Sequence, residues 1–355
     1  MSEFIQKLLR PNILTLLPYS SARHEFSGEA SVYLDANENS LGGPVNPLFS
    51  RYPDPNQSRL KEKIARIKNV KAEQIFLGNG SDEAIDILFR MFCVPGSDRV
   101  ITCPPTYGMY SVSASIHDIK QINVSLNADF QLDVPALLRS FSGKEKLLFL
   151  CSPNNPSGNS LNRADVLQIL KEFEGIVVVD EAYVDFSKEP SWLSELNTHP
   201  NLVILQTFSK AWGLAGLRMG MAFASAELIA VMNRVKAPYN LSEVVQNLVY
   251  EALDKKDIMQ EQVNLIIRER EKLREAIAQI PMVKRVFPSD ANFILVSMDN
   301  ARAVYSRLLA EGIVVRDRSG VHLCDNCLRI TIGTPEENRY LLEKLTQISQ
   351  TETIQ

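Results

Sequence analysis

The sequence predicts an α/β protein with a mostly parallel sheet, followed by a smaller α+β unit. Three observations carry this expectation. Short, near-continuous apolar runs alternate with helical patterns through the middle of the chain, as strands buried on both faces do. Several of these runs end in polar or glycine-rich segments. From 242 to 280 the apolar spacing turns helical for a long way, after which shorter strand and helix patterns resume. A length of 355 residues fits two units of unequal size.

Taken in order, residues 1–50 are punctuated by Pro11, Pro18, Pro44 and Pro47 and read as an irregular arm. A charged amphipathic pattern over 57–68 predicts a helix. The run 75–77 reads as a strand that stops at Gly78-Asn79-Gly80. Ser81-Asp82-Glu83 then opens a helix to about Phe92, with a serine able to cap and acids in the first turn. Further strands are expected at 99–102, 119–124, 147–150, 176–179 and 202–205, with a helix over 161–173. After the long helical stretch, strands are expected near 293–296, 313–316 and 328–332, and helices at 301–311 and 335–348. The boundaries follow: an arm over 1–50, a large unit over 51–240 and a small unit over 241–355 that starts with a long helix.

Composition excludes several classes. The chain is 45% hydrophobic and 23% charged, with a formal net charge of -4 and no basic stripe, so no nucleic-acid partner is expected. No apolar run could span a bilayer, since the best, 211–224, contains Arg218. The first ten residues lack a signal-peptide core. A cytoplasmic protein with no membrane partner is the expectation. Of five cysteines, Cys324 and Cys327 form a CxxC pair without a second pair or spaced histidines. No metal is expected, and the thiols read as free in a reducing compartment.

The chemistry gathers where strands end. Residues 147–150 lead into Cys151-Ser152-Pro153-Asn154-Asn155-Pro156-Ser157-Gly158, 176–179 into Asp180-Glu181-Ala182-Tyr183, and 202–205 into Thr207, Ser209 and Lys210. In open α/β sheets, ligands sit beyond the carboxyl ends of the strands. A glycine turn before a helix offers free amides that suit a phosphate, and Thr207, Ser209 and Arg218 can add donors. Lys210 stands among small and apolar neighbours. It either snorkels from a helix end or is a desolvated amine able to form a Schiff base. Asp180 can hold a protonated ring nitrogen, Asn155 and Tyr183 a phenolate oxygen, and Tyr107 can stack on a flat ring. A lysine, a phosphate cup, a ring cation and a phenolate site together describe pyridoxal 5'-phosphate, an electron sink for a carbanion. Singly, Asp180-Glu181 could be a capping acid pair and Asn155-Pro156-Ser157-Gly158 a plain turn.

These residues resemble the fold type I, class I and II aminotransferases, and within them the histidinol-phosphate aminotransferases. The resemblance runs from Leu14 to about Tyr340. It is carried by Pro18-Tyr19-Ser20-Ser21-Ala22-Arg23, Leu34-Asp35-Ala36-Asn37-Glu38-Asn39, Arg51-Tyr52-Pro53-Asp54-Pro55 and Gly78-Asn79-Gly80-Ser81-Asp82-Glu83. The Asn155 turn, the Asp180 segment, the Lys210 segment and Leu328-Arg329-Ile330-Thr331-Ile332-Gly333-Thr334 complete it. Ser40 follows Asn39 where the family usually has proline.

The resemblance implies a large domain with a seven-stranded, mostly parallel sheet and a small domain built from both chain ends. It implies that Lys210 condenses with the cofactor aldehyde and later carries the α-proton, and that Asp180 pairs with the ring nitrogen. Asn155 and Tyr183 would bond the phenolate oxygen, and Tyr107 would stack on the ring. The Ser81 and Asp82 amides, Thr207, Ser209 and Arg218 would hold the phosphate. Tyr52 would reach the cofactor of a neighbouring subunit, giving a homodimer with shared sites. Arg329 would bind the glutamate or 2-oxoglutarate carboxylate. Arg316, with Tyr19 and Asn37, would bind histidinol phosphate; Arg316 could instead pair with Asp317. The implied reaction is L-histidinol phosphate plus 2-oxoglutarate giving imidazole-acetol phosphate plus L-glutamate, in histidine biosynthesis. L-threonine-phosphate decarboxylation and aromatic amino-acid transamination are alternatives on the same fold. A non-catalytic cofactor-binding regulator would need a DNA-binding module, for which the chain leaves no room.

Overall fold

The apolar runs pair into a seven-stranded sheet in the computed structural model, which describes residues 1–17, 19 and 30–352. Its strands are β1 (Ile75–Asn79), β2 (Arg99–Thr102), β3 (Lys120–Asn123), β4 (Glu145–Cys151), β5 (Ile176–Asp180), β6 (Leu202–Thr207) and β7 (Met219–Phe223). The order across the sheet is β1-β7-β6-β5-β4-β2-β3. β7 runs antiparallel to both neighbours, while β6, β5, β4, β2 and β3 pair in parallel. The carboxyl ends of β1, β4, β5 and β6 and the amino end of β7 therefore share one edge.

All five residues of β5 and all six of β6 are buried, because helices cover both faces. Ile64, Val166 and Ile169 pack on one face, where Val177 and Val179 point. Ala84, Leu88, Val231 and Met232 pack on the other, with Val178 and Val203. Each fully buried aliphatic side chain of this kind contributes about 1.5–3 kcal/mol.

A second sheet follows: β8 (Val283–Val286), β9 (Phe293–Met298), β10 (Arg316–Asp317) and β11 (Cys327–Thr331). It is antiparallel throughout, in the order β10-β11-β9-β8. Alternation gives it two faces. Ile294, Val296, Leu328 and Ile330 pack in a cluster with Val304, Leu308 and Leu345, from helices Ala301–Ala310 and Pro335–Glu352. Phe293, Leu295 and Cys327 instead join the core of the first sheet. Arg329 lies two residues from Cys327 on this second face, so its side chain is directed at the first sheet.

Several expectations need adjustment. The arm is not irregular throughout: Glu3–Leu8 and Pro11–Leu14 are helical, and Ile5, Leu8, Leu9 and Ile13 are buried in the core of the seven-stranded sheet rather than the second one. Pro11 sits at the first helical position, where a missing N–H costs nothing. The apolar stretch 211–224 hides β7, an antiparallel strand whose sequence gives no reversal signal. β8, with an intermediate-exposed-exposed-intermediate pattern, carries too little apolar residue to read as a strand. The long helix is broken into Glu243–Ala252, a 3-10 turn at Leu253–Lys255 and Lys256–Ile277. The strand expected over 313–316 pairs only at Arg316–Asp317. Most of the Pro18–Arg23 segment lies outside the described residues; Tyr19 is described and exposed.

Arg270, on the long helix, joins the two sheets. It is 1% exposed, and its Nη1 donates to Phe186 O at 3.3 Å and Ala291 O at 2.8 Å. Phe186 follows β5 and Ala291 precedes β9. Arg270→Ala should lower unfolding stability by roughly 2–4 kcal/mol, by loss of charge-assisted bonds and packing, read from urea denaturation. A change under about 0.5 kcal/mol, typical of a surface site, would contradict the joint.

Candidate active site

At the shared strand edge lies an open-mouthed cleft. Lys210, Asp180, Tyr183, Ser81, Asp82, Tyr107, Asn155, Thr207, Ser209 and Arg218 all line it. Residues from six strand ends, far apart in sequence, thus meet in one place.

The floor is made by a close backbone approach. Gly80, at φ +70°, starts the helix Gly80–Phe92 and donates its N–H to Arg218 O at 2.7 Å. A Cβ on Gly220 would lie 2.2 Å from Ser81 N, so only glycine lets β7 lie beneath this turn. The first-turn amides of the helix have no helical acceptor and open on the cleft. Arg218, itself in the left-handed region at φ 53°, brings its Nη2 to 3.5 Å from Asp82 Oδ2. Ser209 N–H donates to Thr207 Oγ1 at 3.0 Å, turning the chain after β6. Free amides, two hydroxyls and a guanidinium within one turn of a helix N-terminus make a site for an oxyanion.

Asp180 ends β5 beside Cys151, its register partner on β4. Its carboxylate is buried and accepts from Tyr110 Oη at 2.7 Å and from Ala182 N at 3.1 Å. Burial pushes the carboxyl up to about 6, and the two hydrogen bonds oppose this only in part. Tyr110 is fully buried, stacked on Phe149 with centroids 4.6 Å apart. Beside them Tyr107 donates to Asp82 Oδ1 at 3.1 Å. Its ring is edge-on to that of Tyr110, at 5.5 Å.

Lys210 follows β6. Its amine is open to the cleft, with Nζ 5.6 Å from the centre of the Tyr183 ring. Enclosure by protein, then the charges of Arg329 and Arg218, hold its pKa below the usual lysine value, while Asp180 and Asp82 oppose them. Tyr183 packs edge-on against Phe293 of β9 at 5.1 Å, and burial raises its phenol. Arg329 Nη1 reaches across from β11 to donate to Asn155 Oδ1 at 2.5 Å. This contact spans the two sheets.

The remaining expected residues lie elsewhere. Arg316 pairs in register with Arg329 and is exposed. Asp317 does not neutralise it but lies 3.8 Å from Arg302 Nε. Tyr52 is half exposed, stacked on Tyr239 at 4.4 Å, and is outside the cleft lining. Asn37 and Tyr19 are exposed on the arm. The structure therefore gathers the large-unit residues other than Tyr52, brings Arg329 to Asn155, and leaves Tyr19, Asn37, Tyr52 and Arg316 outside the cleft lining of their own chain.

Sequence reasoning missed Tyr110, gave Cys151 no role, and read Glu181 only as part of a capping acid pair. Tyr110 follows Tyr107 by three residues, one helical turn, but nothing local marks it as the donor to Asp180. Glu181 turns away from its neighbour: it accepts from Ser191 Oγ, Trp192 N and Gln206 Nε2, which fixes the chain after β5. Among the described residues no cluster of three metal-ligating side chains is present, and no helix is long and apolar enough to cross a membrane. All five cysteines are free and buried.

This architecture and cleft define an aminotransferase of fold type I. The family model for class I and II aminotransferases matches residues 45–345, and the chain belongs to that family. Its relatives include the histidinol-phosphate aminotransferase of Parabacteroides distasonis, 53% identical over 96% of this chain and 98% of the relative. That of Bacteroides fragilis is 51% identical over 96% and 98%. Among solved structures, the histidinol-phosphate aminotransferase of Sinorhizobium meliloti in complex with pyridoxal-5'-phosphate superposes with a TM-score of 0.79. It is 25% identical, covering 89% of this chain and 90% of that one.

The buried acid gives a pH prediction. Folding raises the Asp180 pKa from 3.8 to about 6, so the folded state binds the extra proton between those values. Its contribution is present below about pH 4 and is lost as pH rises through about 6, a change of roughly 3 kcal/mol. Cofactor-free Asp180→Asn should therefore gain stability on the wild type between pH 4.5 and 7.5 in urea titrations. Parallel curves would contradict an ionised, desolvated Asp180.

Proposed function

We propose that the protein is a pyridoxal-phosphate-dependent transaminase that exchanges an amino group between L-histidinol phosphate and 2-oxoglutarate in histidine biosynthesis. The observation that carries the reading is the placement of Lys210: an amine of lowered pKa, with no acceptor among the described residues, between a buried carboxylate and an arginine. The cleft fits the cofactor in each part. The Gly80–Asp82 turn, Thr207, Ser209 and Arg218 suit its phosphate. Asp180, with Tyr110 and Ala182 behind it, suits a protonated ring nitrogen, since a ring cation compensates a carboxylate that burial penalises. Asn155 Nδ2 and the Tyr183 hydroxyl have no protein acceptor among the described residues and can donate to the phenolate oxygen. Tyr107 offers its ring for stacking.

When bound, the cofactor supplies an aldehyde that condenses with amines and a ring that accepts electrons from the substrate α-carbon. The chain's own residues do the rest. Lys210 holds the cofactor and then, displaced by substrate, takes and returns the α-proton. Asp180 keeps the ring nitrogen protonated. Arg329 turns from Asn155 to the substrate carboxylate, a planar fork on a planar anion. Arg316, beside it in register, suits the phosphate of the amino donor, and Tyr19 and Asn37 are assigned to the same donor. Because one cleft handles both partners in turn, kinetics are ping-pong. Tyr52, half exposed and outside its own cleft, serves the cofactor of a second copy, making the enzyme a homodimer with shared sites. A reaction between small anions needs no membrane, and its place is the cytoplasm.

The purified protein should be yellow with bound cofactor, and borohydride should fix that cofactor to Lys210. Lys210→Ala should lose the fixation and fall in turnover by at least about 10³-fold, within the range for proton-transfer catalysis. Wild-type protein should use histidinol phosphate ahead of phenylalanine and tyrosine. Failure to take up the cofactor would refute the reading outright. Carbon dioxide release from threonine phosphate, with no transamination, would refute the reaction but not the fold.

A further inference from the structure

Beside Arg316 and Arg329 stands a third arginine, to which no role has been given. The register pairs Arg316 with Arg329 and Asp317 with Leu328. The N–H of Arg318 donates to Cys327 O at 2.8 Å, so the pairing continues one step past β10. Alternation then puts Arg316, Arg318 and Arg329 on one face, the face that looks at the first sheet through Phe293, Leu295 and Cys327. Arg318 is half-buried, and its Nε is enclosed with no hydrogen-bond partner. Among the described residues, none of these three arginines has a carboxylate within ion-pair distance. The charges of Arg329 and Arg316, after burial, hold Arg318 below its ordinary pKa, and its own charge is felt at Tyr183.

Three like charges gathered with no carboxylate in ion-pair distance among the described residues are costly to fold around, and the cost is relieved when anions arrive. The amino donor proposed above has no carboxylate, and its phosphate brings up to two negative charges. Arg329, nearest Asn155, takes the carboxylate of glutamate or 2-oxoglutarate in the other half-reaction. Arg316 alone is a single exposed fork for a dianion. We propose that Arg318 is a specificity-determining residue that clamps the phosphate of the amino donor together with Arg316. Its enclosed position is what distinguishes it from Arg316: a guanidinium partly removed from water holds a phosphate more strongly than an exposed one. The inference rests on the donor being a phosphate monoester.

The test compares two half-reactions in the reconstituted holoenzyme, followed by the change in cofactor absorbance. Arg318→Gln should raise the half-saturating concentration of histidinol phosphate by about 10- to 100-fold, the range for a lost charge-assisted bond. Glutamate and unphosphorylated histidinol should change by less than about 3-fold, since neither carries the phosphate. Arg318→Lys should recover part of the loss. Intact glutamate kinetics also show that the variant has folded. Equal losses for all three donors, or no loss for histidinol phosphate, would overturn the clamp. If the wild type itself does not favour histidinol phosphate over histidinol, the proposed substrate fails first, and the clamp falls with it.

Discussion

The cleft depends on a carboxylate that burial resists. Asp180 sits at the end of a fully buried strand, and the two hydrogen bonds it accepts do not restore what water would give. Such a group persists at neutral pH only at a cost to folding, and a fold keeps it when something else repays that cost. A protonated heteroaromatic ring does so, because attraction between opposite charges grows as the local dielectric falls. The same constraint explains Tyr110. Its hydroxyl fixes Oδ2 while the Ala182 amide fixes Oδ1, so the carboxylate meets a ligand with its orientation already set.

Around this acid the charges are separated by sheet. Asp180, Asp82 and Lys210 belong to the seven-stranded sheet, as does Arg218, which lies across from Asp82. The guanidiniums of Arg316, Arg318 and Arg329, with no carboxylate in ion-pair distance among the described residues, belong to the second sheet, and the Arg329–Asn155 bond and the Tyr183–Phe293 contact link the two. A cofactor held by the first sheet and a substrate gripped by the second would meet at Lys210. Enclosure by protein, with Arg329 across the cleft and Arg218 on the lysine's own sheet, holds the lysine pKa down.

Much of this was legible in the sequence, for a physical reason. Strands buried on both faces must be apolar throughout, so β4, β5 and β6 announce themselves, and the first polar residues after each run mark the edge where ligands bind. Asp180, Asn155 and Lys210 are found that way. What escaped depends on partners distant in the chain. Tyr110 is an aromatic in an amphipathic helix, and only the crossing of that helix behind β5 makes it a donor. β7 is an apolar run like its neighbours, and its reversal is set by the Gly220 approach to Ser81, a contact no local pattern encodes. The helices of the first fourteen residues were hidden by prolines, although Pro11 begins one rather than breaking it.

Arg318 shows the limit from the other side. In sequence it belongs to Arg316-Asp317-Arg318, a mixed-charge triplet that reads as a solvated edge. Pairing with β11 changes that reading, because a period of two places both arginines on the inner face and Asp317 on the outer, beside Arg302. Had the acid pointed inward, it would have neutralised the pair and left nothing for an anionic substrate to satisfy. The proposed clamp thus turns on strand register, and a slip of one residue at β10 would undo it.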